Sequence, residues 1–371
     1  MKLLYIWYKR SEGILEGGGH GSLRNYRLVC EAVGEENVDS YYIHDETRKK
    51  NPFAKVFGAF WFVFGYFYGL SPMRVRKISR LAKGYDCVFI DRSLFGPIAK
   101  RLKQDGYQGK VVSFFHNIEK VYFEARMGGK LPFRNLVINC ADKGDLLSCS
   151  YADTVCALSQ RDSDYLKEHY GRAADVIVSV TFPDAFAGVK VLGEEGALTS
   201  RKPLCLFLGA YYRANNDAIL WFVENVLPEV DIRMRVVGRD MARLLSEHPE
   251  LGAVEVFSDV PDIRPYLEEA DIVILPIFSG SGMKIKTCES LMYGKNILGT
   301  DEAFAGYEID YAEVGGLCTT AEDFIASINS FISSPRPRFN AYSRQVYLEK
   351  YSNAAAAEAF RKIVDPSLRS K

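Results

Sequence analysis

Short apolar runs recur along this chain, and stretches with helical spacing of apolar residues lie between them. In the first half the runs fall at residues 3–7, 38–43, 87–90, 111–115, 154–158 and 176–180, with helical patterns such as 22–33 and 135–148 in between. Runs this short, without strict alternation, read as strands buried on both faces. The rhythm restarts in the second half at 204–208, 234–237, 254–257, 272–275 and 297–299. Strand–helix alternation of this kind builds a parallel sheet with helices on both faces. It occurs twice, so the expected fold class is α/β, with two Rossmann-like doubly wound domains. Their expected extents are 1–185 and 201–340. Gly188, Gly193, Gly196 and Pro203 break the pattern between them, around a linker at 183–202. Residues 341–371 read as C-terminal helices able to pack back on the first domain.

One segment departs from the rhythm. Residues 56–70, VFGAFWFVFGYFYGL, carry no charge and are dense in aromatics. Arg48, Lys49, Lys50 and Lys55 precede it, and Arg74, Arg76, Lys77 and Arg80 follow it. It is shorter than the ~20 residues a spanning helix needs. An interfacial helix or hairpin, with cations on anionic headgroups, fits the pattern, and 53–77 is the expected membrane-association segment. In that case Trp61, Phe62, Phe64, Phe67 and Tyr68 enter the bilayer boundary, and Lys49, Lys50, Arg74 and Arg76 face lipid. A core helix or an oligomer contact is the alternative.

The densest chemistry lies at 271–294, DIVILPIFSGSGMKIKTCESLMYG. A strand leads into a glycine-rich turn, Ser279-Gly280-Ser281-Gly282. A helix is expected at 283–293, ended by Gly294. Lys284 and Lys286 sit at its start, where the positive end of the dipole disfavours cations. Free N–H groups, two glycines and two lysines make an anion site, and phosphate is the commonest such anion. Glu289 shares a helix face with Lys286 and can accept from sugar hydroxyls. A diphosphate plus hydroxyls describes a sugar nucleotide. An ordinary strand–turn–helix with surface lysines is the plainer alternative.

Composition narrows the field. At 371 residues two domains are expected, and 48% apolar content is globular. Lys+Arg and Asp+Glu stand at 47 each, without the basic excess of a nucleic-acid binder. The eight cysteines form no C-x-x-C pair, which points to reduced thiols and a cytoplasmic setting. The start, MKLLYIWYKR, reads as a strand and not as a signal peptide.

Three further motifs carry candidate chemistry. Gly17 to Gly21 follow the first strand and precede a helix, so Gly18, Gly19 and His20 are candidates for an acceptor or cleft contact. The loop does not complete G-x-G-x-x-G, because Ser22 takes the last position. His116 and Asn117 follow an apolar strand at its carboxyl end, where open α/β sheets bind ligands. Asp162-Ser163-Asp164 is a D-x-D, but Ser159 before it makes an N-cap and a helix start the better reading.

The run G-S-G-M-K-I-K-x-x-E, with Gly294 after it, resembles the donor-site signature of GT-B glycosyltransferases in glycosyltransferase family four and its relatives. Phe207-Leu208-Gly209, Asn215-Asn216, Val236-Val237-Gly238 and Val260-Pro261-Asp262 resemble the family's preceding motifs, and His116-Asn117-Ile118-Glu119 its H-N-x-E stretch. The resemblance implies a GT-B enzyme, two domains facing a cleft. It implies donor contacts at Gly209, Arg239, Val260, Ser279, Gly280, Ser281, Gly282, Met283, Lys284, Lys286 and Glu289. Catalytic roles fall on His116, Lys284 and Lys286, with Glu289 on the ribose. Transfer with retention to a glycan or polyprenyl-linked acceptor is implied, in cell-surface polysaccharide synthesis. No metal or other cofactor is expected, the nucleotide-diphosphate sugar being a co-substrate. The expected location is cytoplasmic and peripheral, on the inner face of the plasma membrane. Ser281 departs from the family, which usually has a glutamate there. A catalytically impaired nucleotide-sugar-binding scaffold and a GT-B sugar-nucleotide epimerase are the alternatives.

Overall fold

The computed structural model describes residues 1–9, 17–44, 60–67, 69–127, 133–186, 202–280, 282–334 and 336–365. The chain divides into two units. Unit 1 is residues 1–181 together with 353–371, and unit 2 is 182–352.

In unit 1 the strands are β1 (Leu3–Lys9), β2 (Val38–His44), β3 (Cys87–Ile90), β4 (Lys110–Phe114), β5 (Thr154–Ala157) and β6 (Val176–Ile177). They form one sheet in the order β2-β1-β3-β4-β5-β6, every pair parallel. The helices are α1 (Gly17–Val33), α2 (Pro72–Ala82), α3 (Gly96–Gln104), α4 (Glu119–Arg126), α5 (Arg134–Tyr151) and α6 (Gln160–Tyr170). Every residue of β3, β4 and β5 is buried, as strands covered on both faces must be. The sheet turns back on itself between β1 and β3, a topological switch point.

Unit 2 repeats the plan. Its strands are β7 (Leu204–Leu208), β8 (Arg233–Gly238), β9 (Glu255–Ser258), β10 (Ile272–Leu275), β11 (Asn296–Gly299) and β12 (Gly315–Leu317), in the order β12-β11-β10-β7-β8-β9. The switch point lies between β7 and β10, with Ile272 opposite Cys205. The helices are α7 (Arg213–Asn225), α8 (Met241–Glu247), α9 (Arg264–Glu269), α10 (Ile285–Met292), α11 (Asp301–Phe304), α12 (Tyr311–Val314), α13 (Ala321–Ser333) and α14 (Ala341–Val346). A capping box of Thr320 and Asp323 starts α13. Residues 341–352 stay in unit 2. The chain rejoins unit 1 at α15 (Asn353–Val364).

An aspartate stands just before several strands and accepts a backbone N–H at or within one residue of the start of the neighbouring strand. Asp86 takes Lys2 N at 2.8 Å, Asp153 takes Val111 N at 2.8 Å, and Asp175 takes Val155 N at 2.7 Å. In unit 2 Asp271 takes Leu204 N at 2.8 Å. The last three supply an acceptor to a backbone donor that burial would otherwise strand.

Helix α15 completes unit 1. Phe360, fully buried, stacks over Phe89 and Phe114 with both ring centroids at 6.3 Å. The buried Lys110 ammonium donates to the carbonyls of Asp365, at 2.8 Å, and Lys362, at 3.4 Å. A cation at a helix C-terminus meets the negative end of the dipole.

The aromatic segment is split by the structure. Phe67 and Leu70 are core residues, and Phe67 packs on Phe62 and Phe123. Phe67 is therefore not available to a bilayer. Phe60, Val63 and Phe64 are 52%, 64% and 49% exposed. Arg74 also departs from its expected place. Its guanidinium donates to the carbonyls of Ile43 and Gly69, and so ties the segment's end to β2. Arg76, Lys77 and Arg80 are exposed. Tyr68, Lys49 and Lys50 lie outside the described residues. Among the described residues no helix is long and apolar enough to cross a membrane.

Candidate active site

At the switch point of unit 2 the chain leaves β7 at Gly209 and leaves β10 towards the glycine turn. Gly282 has φ of 66°, a left-handed conformation that glycine adopts without strain. Helix α10 begins at Ile285, two residues later than the expected 283. Lys284 takes an extended N-cap conformation, which excludes it and Met283 from the helix. Lys286 is then the second helical residue, where backbone N–H groups have no partner within the helix.

The two lysines differ. Lys284 Nζ is paired with Glu302 Oε1 at 2.6 Å and donates to Gly282 O at 2.8 Å. Its own carbonyl accepts from Tyr307 Oη at 2.7 Å. Lys286 Nζ donates to the neutral amide oxygen of Asn215 at 2.6 Å and lies 4.3 Å from the centroid of the Phe207 ring. Both side chains show some surface, but protein surrounds the Lys286 ammonium and the Glu289 carboxyl. Burial lowers Lys286 to about 7; Glu289 opposes that shift and Lys284 adds to it. Burial likewise raises Glu289 to about 7, against the pull of Lys286. The pair is poised to change charge near neutrality.

Any side chain on Gly209 would push on the Asn215–Lys286 pair. A Cβ on it would lie 2.8 Å from Asn215 Nδ2 and 3.0 Å from Lys286 Nζ. The next strand ends carry Arg239, exposed, and Val260, half-buried. They follow or flank two residues in left-handed conformations, Asp240 at φ 58° and Asp259 at φ 55°. Asp259 N donates to Gly238 O at 3.0 Å, and Asp240 N to Asp259 Oδ1 at 3.1 Å. Two strained carboxylate residues on neighbouring strand ends cost of order 1 kcal/mol each, as ligand-facing loops often do. Ser279 and Gly280 are exposed and Met283 is buried. Ser281 lies outside the described residues.

Unit 1 has a polar cluster at its own switch point. His116 is buried, with Nε2 3.1 Å from Asp91 Oδ1. The same oxygen accepts from Asn25 Nδ2 at 3.0 Å and Tyr5 Oη at 2.6 Å. Burial lowers the proton affinity of His116, and Asp91 only partly restores it. Burial pushes the Asp91 carboxyl up, but His116 and the hydrogen bonds from His116, Ser22 and Tyr5 outweigh it and hold the carboxyl low. A carboxylate at Nε2 selects the tautomer with hydrogen there and leaves Nδ1 as an acceptor. Nδ1 faces Gly21, where a Cβ would come within 3.0 Å. Asn117 is half-buried beside it. Gly18, Gly19 and His20 belong to the first turn of α1 and not to a loop before it. The D-x-D is a helix start: Ser159 Oγ accepts from Asp162 N at 3.2 Å.

The structure thus gathers Gly209, Gly282, Lys284, Lys286 and Glu289 around one switch point, with Arg239 and Val260 on the strand ends beside it. It gives Asn215, quoted in sequence only as part of a motif, a role as the partner of Lys286, and adds partners that sequence reasoning missed: Glu302 in unit 2, and Asp91, Asn25 and Tyr5 in unit 1. Asp91 had a signal, since it directly follows the apolar run 87–90 at a strand's carboxyl end.

Residues 202–334 match the family described as glycosyl transferases group 1. The whole chain resembles several solved structures. HepE of Anabaena in complex with UDP-glucose is 13% identical over 99% of this chain and 100% of its own, with a TM-score of 0.67. Sucrose-phosphate synthase of Thermosynechococcus elongatus is 14% identical over 97% of each chain, at 0.66. A glycosyltransferase of Rickettsia africae is 14% identical over 98% and 99%, at 0.63. At such identities the likeness establishes the fold, two Rossmann-like domains of the GT-B type. No curated protein matches the chain in sequence.

Proposed function

We propose that this chain, a GT-B glycosyltransferase whose unit 2 carries a glycosyl transferases group 1 domain, takes its sugar from a nucleotide diphosphate bound at Lys286. The acceptor is a glycan or a polyprenyl-linked sugar, in cell-surface polysaccharide synthesis, and no metal ion takes part. One observation carries the reading: an ammonium held by a neutral amide at a helix start, on the switch point of a doubly wound sheet. Cleavage of the anomeric bond builds negative charge on the departing diphosphate. Lys286 and the first N–H groups of α10 meet that charge where it develops. Lys284 is already paired with Glu302, whereas the hydrogen-bond partner of Lys286 is a neutral amide. Glu289 accepts from ribose hydroxyls. In unit 1, the Nδ1 acceptor of His116 takes a sugar hydroxyl. Retention at the anomeric carbon is supported by the motif's likeness to a retaining family, and the anomer of the product, read by NMR, decides it.

The test is thermal stabilisation by ligands. UDP, as in the HepE complex, is the first candidate. At a hundredfold excess over Kd it stabilises by about 2.7 kcal/mol, a rise of several degrees in Tm, and uridine does much less. The rise should peak near pH 7. Below it Glu289, raised to about 7, takes a proton and accepts from hydroxyls more weakly, without the charge that strengthens the bond. Above it Lys286, lowered to about 7, loses the charge that the diphosphate needs. Glu289→Gln should remove the acidic limb and leave the alkaline one. A response equal for UDP and uridine, or flat from pH 6 to 8.5, would place the diphosphate elsewhere.

The protein is read as cytoplasmic and peripheral on the inner membrane face, which brings it to a lipid-linked acceptor. Exposed Phe60, Val63 and Phe64, with Arg76, Lys77 and Arg80 exposed further along the chain, support this. The protein should float with anionic liposomes at low salt and less at high salt, where charges are screened. Changing Phe60, Val63 and Phe64 to Ser alters exposed positions only, so the fold survives and flotation is lost. Wild type that ignores liposomes would leave a soluble acceptor.

A further inference from the structure

The loops after β3 and β4 carry Asp91 and His116, and each continues into a charged side chain that turns back into unit 1. Arg92 follows Asp91, and Glu119 lies three residues beyond His116. Their side chains are 17% and 1% exposed, with Arg92 Nη1 3.5 Å from Glu119 Oε1. The same guanidinium covers the ring of Tyr8, near the end of β1, at 5.4 Å. One arginine, set just after β3, therefore touches the end of β1 and the start of α4. On the far side of Glu119 is Asp145 of α5, fully buried, whose Oδ2 accepts from Lys120 N at 3.1 Å. The first turn of α4 is held from two directions.

Two carboxyls and one guanidinium would leave a buried negative charge, which is costly. Burial pushes Glu119 up, and Arg92 partly offsets that. Burial pushes Asp145 up further, with the charge of Glu119 beside it. Arg92 and Glu119 are the two charged groups within reach of one another, and Asp145 is held by the backbone N–H of Lys120. Arg92 Nε and Glu119 Oε2 are buried without a hydrogen-bond partner. An ion pair left partly unsatisfied in a core adds little stability over an apolar replacement. Its place between two site-bearing loops gives it another use.

We infer that the Arg92–Glu119 pair is a positioning device, which sets the separation of the two loops so that His116 stays on Asp91 with Nδ1 free for substrate. The inference rests on the reading of His116 as a sugar contact. Arg92 and Glu119 are positioning residues and touch no substrate themselves.

Glu119→Gln keeps the shape and removes the charge. It should lower kcat tenfold or more, while KM for the nucleotide sugar and the Tm rise with UDP stay within twofold, because the diphosphate site belongs to unit 2. Ring 15N spectra of the histidine-labelled chain supply the second readout. The His116 signal, assigned by its loss in His116→Gln, should move towards a mixture of tautomers in Glu119→Gln. Arg92→Lys, which keeps the charge and loses the planar fork, should show the same pattern to a smaller degree if Glu119→Gln fails to fold. Wild-type kcat with an unmoved His116 signal overturns the inference. So does an Arg92→Lys variant that keeps its UDP response, turns over at the wild-type rate and leaves the His116 signal unmoved. If His116→Gln turns over normally, the underlying reading of His116 falls and the positioning role with it. An inactive His116→Gln beside an unaffected Glu119→Gln removes the positioning role alone.

Discussion

Lys286→Ala lowers turnover by two to three orders of magnitude. The charge it removes sits at the start of α10, where the leaving diphosphate gathers negative charge. Loss of one preorganised electrostatic donor costs about 3–4 kcal/mol in the transition state. The ground-state diphosphate feels the same loss in part, so KM for the donor rises as well. Lys286→Arg restores charge but not fit. Its larger head must enter a space bounded by Gly209, Asn215 and the Phe207 ring, so rescue is incomplete. Steady-state kinetics with excess chelator check both parts: wild type keeps its rate without divalent metal, and Lys286→Ala does not. Full turnover by Lys286→Ala, or wild-type activity that needs magnesium or manganese, would overturn the proposed leaving-group role.

Gly238→Ala destabilises unit 2 by about 3 kcal/mol or more, the upper end of what overpacking costs. The added Cβ would lie 1.8 Å from the carbonyl oxygen of Gly209 and 2.5 Å from its carbonyl carbon. No side chain can swing aside, because the clash is with backbone. Strands β7 and β8 pair up to Leu208 and Val237, and Gly209 N donates to Val237 O at 3.0 Å. Relief means prising apart the strand ends that carry Gly209 and Arg239. Effects of this size arise from such core overpacking and not from surface change. Urea unfolding should show the loss, and the UDP response should vanish with it. Gly252→Ala is the control, since nothing lies within 4 Å of a Cβ there. Equal stability of the two variants would contradict the close approach of the strand ends.

The strands were legible because both faces of these sheets are covered. Residues 87–90 and 272–275 are uniformly apolar in sequence and uniformly buried in the structure. β12 was not legible. It has two glycines in three residues and no apolar run. It joins the sheet because Gly315 lets the chain pass close to Ile297, where a Cβ would meet the carbonyl oxygen at 2.4 Å. The anion turn was visible in its glycines and lysines, which are local signals. The partners of those lysines were not, for Asn215 is 71 residues from Lys286 and Glu302 is 18 from Lys284. Crossover connections bring them together, and periodicity carries no information on that. Residues 56–70 were legible only in part. Hydropathy alone cannot tell an aromatic facing the core, such as Phe67, from one facing water, such as Phe64. Nor does a cation beside an apolar run have to face lipid, as the carbonyl-bound Arg74 shows.

Unit 1 is not a continuous stretch of chain, and this orders its birth. On a ribosome its six strands emerge first, but the helix that lays Phe360 over Phe89 and Phe114 is made only after all of unit 2. Unit 2 is continuous from Phe182 to Ser352 and can close as a body before that helix exists. The half begun first is therefore finished last. For as long as residues 204–352 take to synthesise, an aromatic surface waits uncovered, within reach of chaperones and of neighbouring nascent chains. A message cut short just before codon 353 would yield a sound second half joined to a permanently sticky first half. Quality control would then have to recognise the amino-terminal half, although the lesion lies at the other end of the message.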